Sequence, residues 1–209
     1  MNENNQNNIN PWASIWRNPR GTIRHLVDTS PNKNLLLLVI GGGIGNALSY
    51  AAGFALADVM AVNTMVLLCF LAGPLSGFIS LFLWSWLLDL TLKLFGGRAT
   101  RQELRTAIAW SWAPIVYLLP LWGIKYILFR RELFESEKPF IEAHQFLNGL
   151  LGVFDMLDFF IAMFSIYILF NTVAEVNRFS IWRSIGAIGV VLLIMTIPAL
   201  LVLRFVSPV

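Results

Sequence analysis

Five apolar stretches dominate this chain, near Leu35 to Ala57, Met65 to Leu88, Ala107 to Phe129, Leu147 to Phe170 and Ile185 to Leu203. Each has about the 20 mostly apolar residues that a helix needs to cross the hydrocarbon of a bilayer. Only 13% of the 209 residues are charged, against roughly 25% in an average soluble domain. The expectation is an all-α, polytopic membrane protein: a five-helix transmembrane bundle filling residues 11–209, after a disordered polar tail, 1–10. The opening "MNENNQNNI" has neither the basic start nor the short apolar core of a cleavable signal peptide, so the first span reads as a retained anchor.

Basic residues give an orientation. Arg17, Arg20, Arg24 and Lys33 precede span one, Lys93, Arg98, Arg101 and Arg105 separate spans two and three, and Arg178 and Arg183 separate spans four and five. Those ten fall on one side, and Lys125, Arg130, Arg131, Lys138 and Arg204 fall on the other. The positive-inside rule then predicts a cell-membrane protein with a cytoplasmic amino terminus and an extracytoplasmic carboxy terminus. The same placement, flanking apolar spans without tiling one face, excludes a nucleic-acid binder.

Ahead of span one, "PWASIWRNPRGTIRHL" is short, basic and rich in tryptophan. Asparagine precedes proline at Asn10-Pro11 and Asn18-Pro19, a pairing that suits an N-cap followed by the first helical residue. Two short helices are predicted within 11–30. Trp12, Ile15 and Trp16 share one face of the first, and Ile23, Leu26 and Val27 share one face of the second, with Arg20 and Arg24 elsewhere. Tryptophan favours the headgroup region and arginine favours anionic lipid. Trp12, Trp16, Arg17, Arg20 and Arg24 therefore read as an in-plane interfacial segment, either a membrane anchor or a docking surface for a partner.

Small residues recur every four positions at Gly41, Gly45, Ser49 and Gly53, and again at Gly73 and Gly77 around Pro74. Such stripes let another backbone approach closely, within the bundle or across a homo-oligomer. "TRQE" places Thr100 three residues before Glu103, a capping box opening the approach to span three. Arg101 and Arg105 behind it read as a solvated cluster facing lipid phosphate, or as a specific ligand site. Asp89 and Lys93, spaced i, i+4, read as a helix-surface pair. Pro114 and Pro120 are expected to kink span three or break it locally.

The most suggestive residues are Asp155 and Asp158, i, i+3 on one face of span four. With a helix starting near Leu147, Asp158 lies about 16 Å deep at 1.5 Å per residue. A bare carboxylate there is costly, so it must be protonated, paired or wetted. Lys125 is the nearest cation by depth, and Asn46, Ser49 and Tyr50 are possible hydrogen-bonding neighbours. The set reads as a structural contact or as a substrate, ion or proton site. Solvent access to the aspartates decides between them.

No catalytic, cofactor or metal residues emerge. "GPLSG" lacks the spacing of a nucleophile elbow, "GGGIG" lacks the lysine and hydroxyl of a phosphate loop, and His25 and His144 lie outside the confident spans. Cys69, the single cysteine, has no partner for an internal disulfide.

Three blocks carry a resemblance: "PWASIWRNPRGTIRHLV", "FGGRATRQELRTAIAWSWAPIV" and "MLDFFIAMFSIYILFNTVAEVNRFSIWRSI". In this order they resemble bacterial members of the YIP family, the Ypt/Rab-interacting-protein family. The resemblance implies a five-helix membrane bundle with a cytoplasmic amino terminus and no catalytic residues. Eukaryotic relatives bind small GTPases in vesicle traffic, but this chain lacks their long amino-terminal region, so that partner does not carry over. Bacterial relatives resemble accessory membrane proteins, sometimes associated with transport systems. The expectation is a non-enzymatic accessory or scaffold component, partnered by the bilayer and another membrane protein. The alternative is a small transporter or ion or proton pathway through Asp155 and Asp158.

Overall fold

A computed structural model describes residues 10–206, with side chains described up to residue 197. The predicted polar tail lies outside the described residues except for Asn10. All regular structure among the described residues is helical. Two short helices, α1 (Pro11–Ser14) and α2 (Pro19–Thr29), lead into α3 (Leu35–Gly53), α4 (Val62–Leu94), α5 (Arg101–Ser111) and α6 (Ala113–Phe129). A short α7 (Pro139–Ala143) then precedes α8 (Gln145–Val176) and α9 (Ile181–Val206). Four helical stretches are long and apolar enough to cross a bilayer: α3, α4, α5–α6 with its 3₁₀ extension, and α8. The described apolar part of α9, Ile181–Ile197, is a shorter fifth. The chain is a polytopic helical membrane protein.

The local signals act where the residues put them. Asn10 accepts a hydrogen bond from the Trp12 amide at 3.1 Å, and Asn18 accepts one from the Gly21 amide at 2.9 Å. Each satisfies an amide that the first helical turn leaves orphaned. Thr100 and Glu103 form the reciprocal box, the Thr100 amide donating to the Glu103 carboxylate at 2.6 Å and the Glu103 amide donating to Thr100 Oγ1 at 3.3 Å. Helix α4 closes on a Gly-Gly turn: Gly96 has φ +80°, and the Gly97 amide returns to the Leu92 carbonyl at 2.8 Å. That left-handed residue is one that glycine adopts at no steric cost.

Element ends depart from the hydropathy boundaries. Helix α3 stops at Gly53, and the chain turns with Ala55 at φ 50°, so Phe54 to Ala57 are not part of span one. Span three takes the local break. It breaks at Trp112, and Pro114 sits in the first turn of α6, where its missing amide costs nothing. The break precedes the proline because the ring would clash with the carbonyl of Trp110, four residues back. Pro120 does lie inside α6. Helices α4 and α8 both overrun the predicted spans.

The chain divides into two compact units. One holds the segments up to Pro31, Phe82–Ile108 and from Leu169 onward; the other holds Asn32–Leu81 and Ala109–Ile168. In the second unit, α3 packs on α6 and α4 through its glycines. A Cβ on Gly41 would meet Val116, one on Gly42 would meet Trp112, and one on Gly45 would meet Ile115. The closest approach to α4 comes from Gly43, outside the predicted stripe. A Cβ there would strike the Gly73 carbonyl, one on Gly77 would strike the Val39 carbonyl, and one on Gly73 would stand 2.9 Å from Ile44 Cα. Gly53 has open space around it and packs nothing.

These glycines predict opposite outcomes for one substitution. Alanine normally favours a helix by about 1 kcal/mol over glycine. At Gly77 the backbone of α3 blocks the methyl, so Gly77→Ala should lose about 1–3 kcal/mol by overpacking. At Gly152 of α8, where a Cβ meets nothing within 4 Å, Gly152→Ala should be neutral or stabilising. Unfolding of both variants in the same detergent checks the contrast.

Candidate functional site

The first unit centres on the last turns of α8. Asn171 and Glu175 are spaced i, i+4, as are Arg20 and Arg24 on α2, so each pair lies on one helix face. The two faces meet. Arg20 Nε donates to Asn171 Oδ1 at 3.1 Å, and Arg24 Nε donates to Glu175 Oε1 at 3.2 Å. Arg24 Nη2 also donates to the Glu175 backbone carbonyl at 2.6 Å. That carbonyl also accepts from the Arg178 amide at 3.0 Å and lies at the negative end of the helix dipole. Buried Asn177 follows: its amide nitrogen donates to the Val173 carbonyl at 2.9 Å, and its oxygen accepts from the Ala99 amide at 3.2 Å. Thr172 Oγ1 donates to the Ala107 carbonyl at 3.2 Å, and Thr106 Oγ1 donates to the Pro31 carbonyl at 2.9 Å.

This arrangement corrects the reading of Arg20 and Arg24 as lipid-facing. Their guanidinium groups are spent inside the protein, and the α1–α2 segment is part of a folded unit. Ser14 and Thr22 join its two helices through a 2.7 Å hydroxyl contact, and Ile15, Ile23 and Leu26 are buried. Trp12 and Trp16 are half-buried and Arg17 is exposed. Arg101 and Arg105 also have partners on their own chain. Asp89, only 4% exposed, holds both Arg101 at 3.0 Å and Lys93 at 3.1 Å. The Arg105 guanidinium lies 4.3 Å from the centroid of the Phe82 ring, a cation–π contact.

The second unit carries the other candidate. Lys125 of α6 is 2% exposed, and its Nζ lies 2.6 Å from Asp158 of α8 and 4.4 Å from the centroid of the Trp122 ring. The ammonium thus has a carboxylate and an aromatic face in place of water. Asp158 keeps 31% of its side chain exposed. Both line a cavity of about 460 Å³ with Ser49, Trp122, Lys138 and Asp155. An apolar cavity of about 340 Å³, lined by residues such as Leu48, Phe70, Gly123 and Tyr126, has Trp122 as a wall in common with it. The intervening loop is tied down by backbone donors: Glu132 accepts from the Phe140 and Ile141 amides, each at 2.9 Å, and Asp58 accepts from the Ser136 amide at 3.2 Å. Asn46 and Tyr50 are not among the cavity's lining residues.

A family model described as the Yip1 domain matches residues 13–203. The chain belongs to the Yip1-domain family. The match is to the family as a whole and assigns no bacterial branch. No curated relative and no solved structure matches the chain.

In this Yip1-domain chain, the sequence reading brought together Lys125, Asp155 and Asp158, and the structure places all three around one cavity. It overlooked Asn171, Glu175 and Asn177. Their signal was present: two polar residues at helical spacing near the end of an apolar span match two arginines at the same spacing on α2.

The Lys125–Asp158 pair is asymmetric, because the lysine is the buried partner. Asp158→Asn strands a buried ammonium and should cost about 3–5 kcal/mol. Lys125→Met leaves a carboxylate that is only partly buried and should cost distinctly less. The double variant Lys125→Met/Asp158→Leu should recover much of the Asp158→Asn loss. Unfolding midpoints of the three proteins in one detergent test the order.

Proposed function

We propose that this Yip1-domain protein is a non-enzymatic accessory or scaffold component of a membrane complex such as a transport or export system. It acts in the cell membrane, with the amino terminus cytoplasmic. One observation carries the reading. Arg20 and Arg24 anchor α2 to the end of α8, so the tryptophan-rich segment is held as a pre-formed surface bearing exposed Arg17. A pre-ordered surface binds a partner without the entropy cost of folding on contact. A simple lipid anchor has no need to spend both arginines on its own chain.

A photocrosslinking residue at position 17 tests this, with one at Leu71, 67% exposed on α4, as control. Discrete protein adducts are expected from position 17 alone. Adducts to lipid only, from both positions, would refute the docking role. The orientation is checked in intact cells: an impermeant maleimide should label Ser136→Cys and spare Arg17→Cys.

A second reading, a small transporter or ion or proton pathway, is favoured by the access of Asp155 and Asp158 to their cavity. It requires a pH-dependent flux in proteoliposomes that Asp155→Asn abolishes. Equal flux in wild type and variant removes it.

A further inference from the structure

We propose that the two cavities of the second unit form one binding site for a zwitterionic phospholipid, with its ammonium–phosphate headgroup in the charged cavity and an acyl chain in the apolar one. The charges select the headgroup. Lys125 is already neutralised by Asp158. Lys138 and Asp155 line the same cavity, and neither side chain makes an ion pair among the described residues. A phosphate beside Lys138 and an ammonium beside Asp155 would satisfy one charge of each sign. A headgroup with only a negative charge would match Lys138 and leave Asp155 unmatched, and an uncharged one would leave both groups unmatched.

The chain has its own compartment. Trp122 walls both cavities, its ring turned toward the Lys125 ammonium, so the indole stands between the charged side and the apolar side. Tryptophan favours this boundary because its body is apolar and its edge is polar. Gly123, beside it, lines the apolar cavity, and a Cβ there would meet nothing within 4 Å. Both volumes, about 340 and 460 Å³, fall in the range of about 300–1,000 Å³ usual for ligand pockets.

Depth agrees. The 32 residues of α8 span about 48 Å, which exceeds a hydrocarbon core of about 30 Å by about 18 Å. With that excess shared between the ends, Asp155, about 15 Å along the helix, lies only about 6 Å below the hydrocarbon edge. A headgroup drawn slightly inward from its own leaflet reaches it.

The test uses the full-length protein in mild detergent, incubated with equal amounts of dioleoyl phosphatidylethanolamine, phosphatidylglycerol and diacylglycerol, and read by native mass spectrometry. Phosphatidylethanolamine should be retained about tenfold over each of the others, and Asp155→Asn and Lys138→Gln should each remove that preference, consistent with losing one charge-assisted contact. Gly123→Leu, which fills the apolar cavity, should release lipid of every headgroup without lowering the unfolding temperature. Equal retention of the three lipids, or an undiminished preference in Asp155→Asn, would overturn the proposal. So would water-soluble phosphoethanolamine displacing the lipid at equal concentration, since a free headgroup would then suffice.

Discussion

Helix α8 is longer than a bilayer is thick, and the first unit depends on the surplus. A helix end within lipid would have to hide its last carbonyls. Here the final turns, Asn171 to Asn177, leave the apolar pattern and offer carboxylate, amide and carbonyl oxygens instead. Arg24 takes the carboxylate and a terminal carbonyl, Arg20 takes an amide, and the Gly-Gly turn is held through Ala99. Each contact pairs a guanidinium with an oxygen at the end of α8, so α2 docks with its charges compensated. Sharing a buried charge between several partners follows the same economy at Asp89, where Lys93 and Arg101 divide one carboxylate.

The second unit meets a harder problem, a lysine carried inside. Burial of an ammonium is tolerated only with close compensation, and Lys125 receives it from Asp158 and from the face of Trp122. Replacing the pair with apolar residues would cost little by itself, since paired buried ions seldom add much net stability. Stability alone is therefore a poor reason for the pair to exist. Its value lies in holding a charged wall where Asp155 and Lys138 can act on a ligand.

What the sequence made legible follows from the range of the forces involved. The spans were readable because hydropathy is summed over about 20 residues, and the caps at Asn10, Asn18 and Thr100 were readable because donor and acceptor lie within three residues. The partners of Arg20 and Arg24 were not, since Asn171 and Glu175 stand 151 positions away and lipid phosphate is an equally good partner for a guanidinium. The glycine stripe gave a face without a neighbour. Gly41 and Gly45 meet α6, whereas the tight approach to α4 falls to Gly43, because any of three adjacent glycines permits it and only packing selects one. Helix ends were missed for a related reason: hydropathy measures the stretch that lipid tolerates, and α4 and α8 continue beyond it.

The same packing bears on what the charged cavity can do. Conduction needs a polar route onward, yet the cavity's inner wall is Trp122 and Lys125, 7% and 2% exposed. Elsewhere in the unit, Ile44, Leu48, Cys69 and Trp122 belong to one continuous apolar core, and at Gly43, Gly73 and Gly77 two backbones touch with no room for a methyl group. Opening a path would mean separating helices at their tightest contact and breaking a 2.6 Å ion pair in a medium that penalises the freed ammonium. A cavity lined by opposite charges and walled by buried Trp122 suits capture of a ligand better than passage of an ion. Accessible aspartates alone therefore do not imply transport.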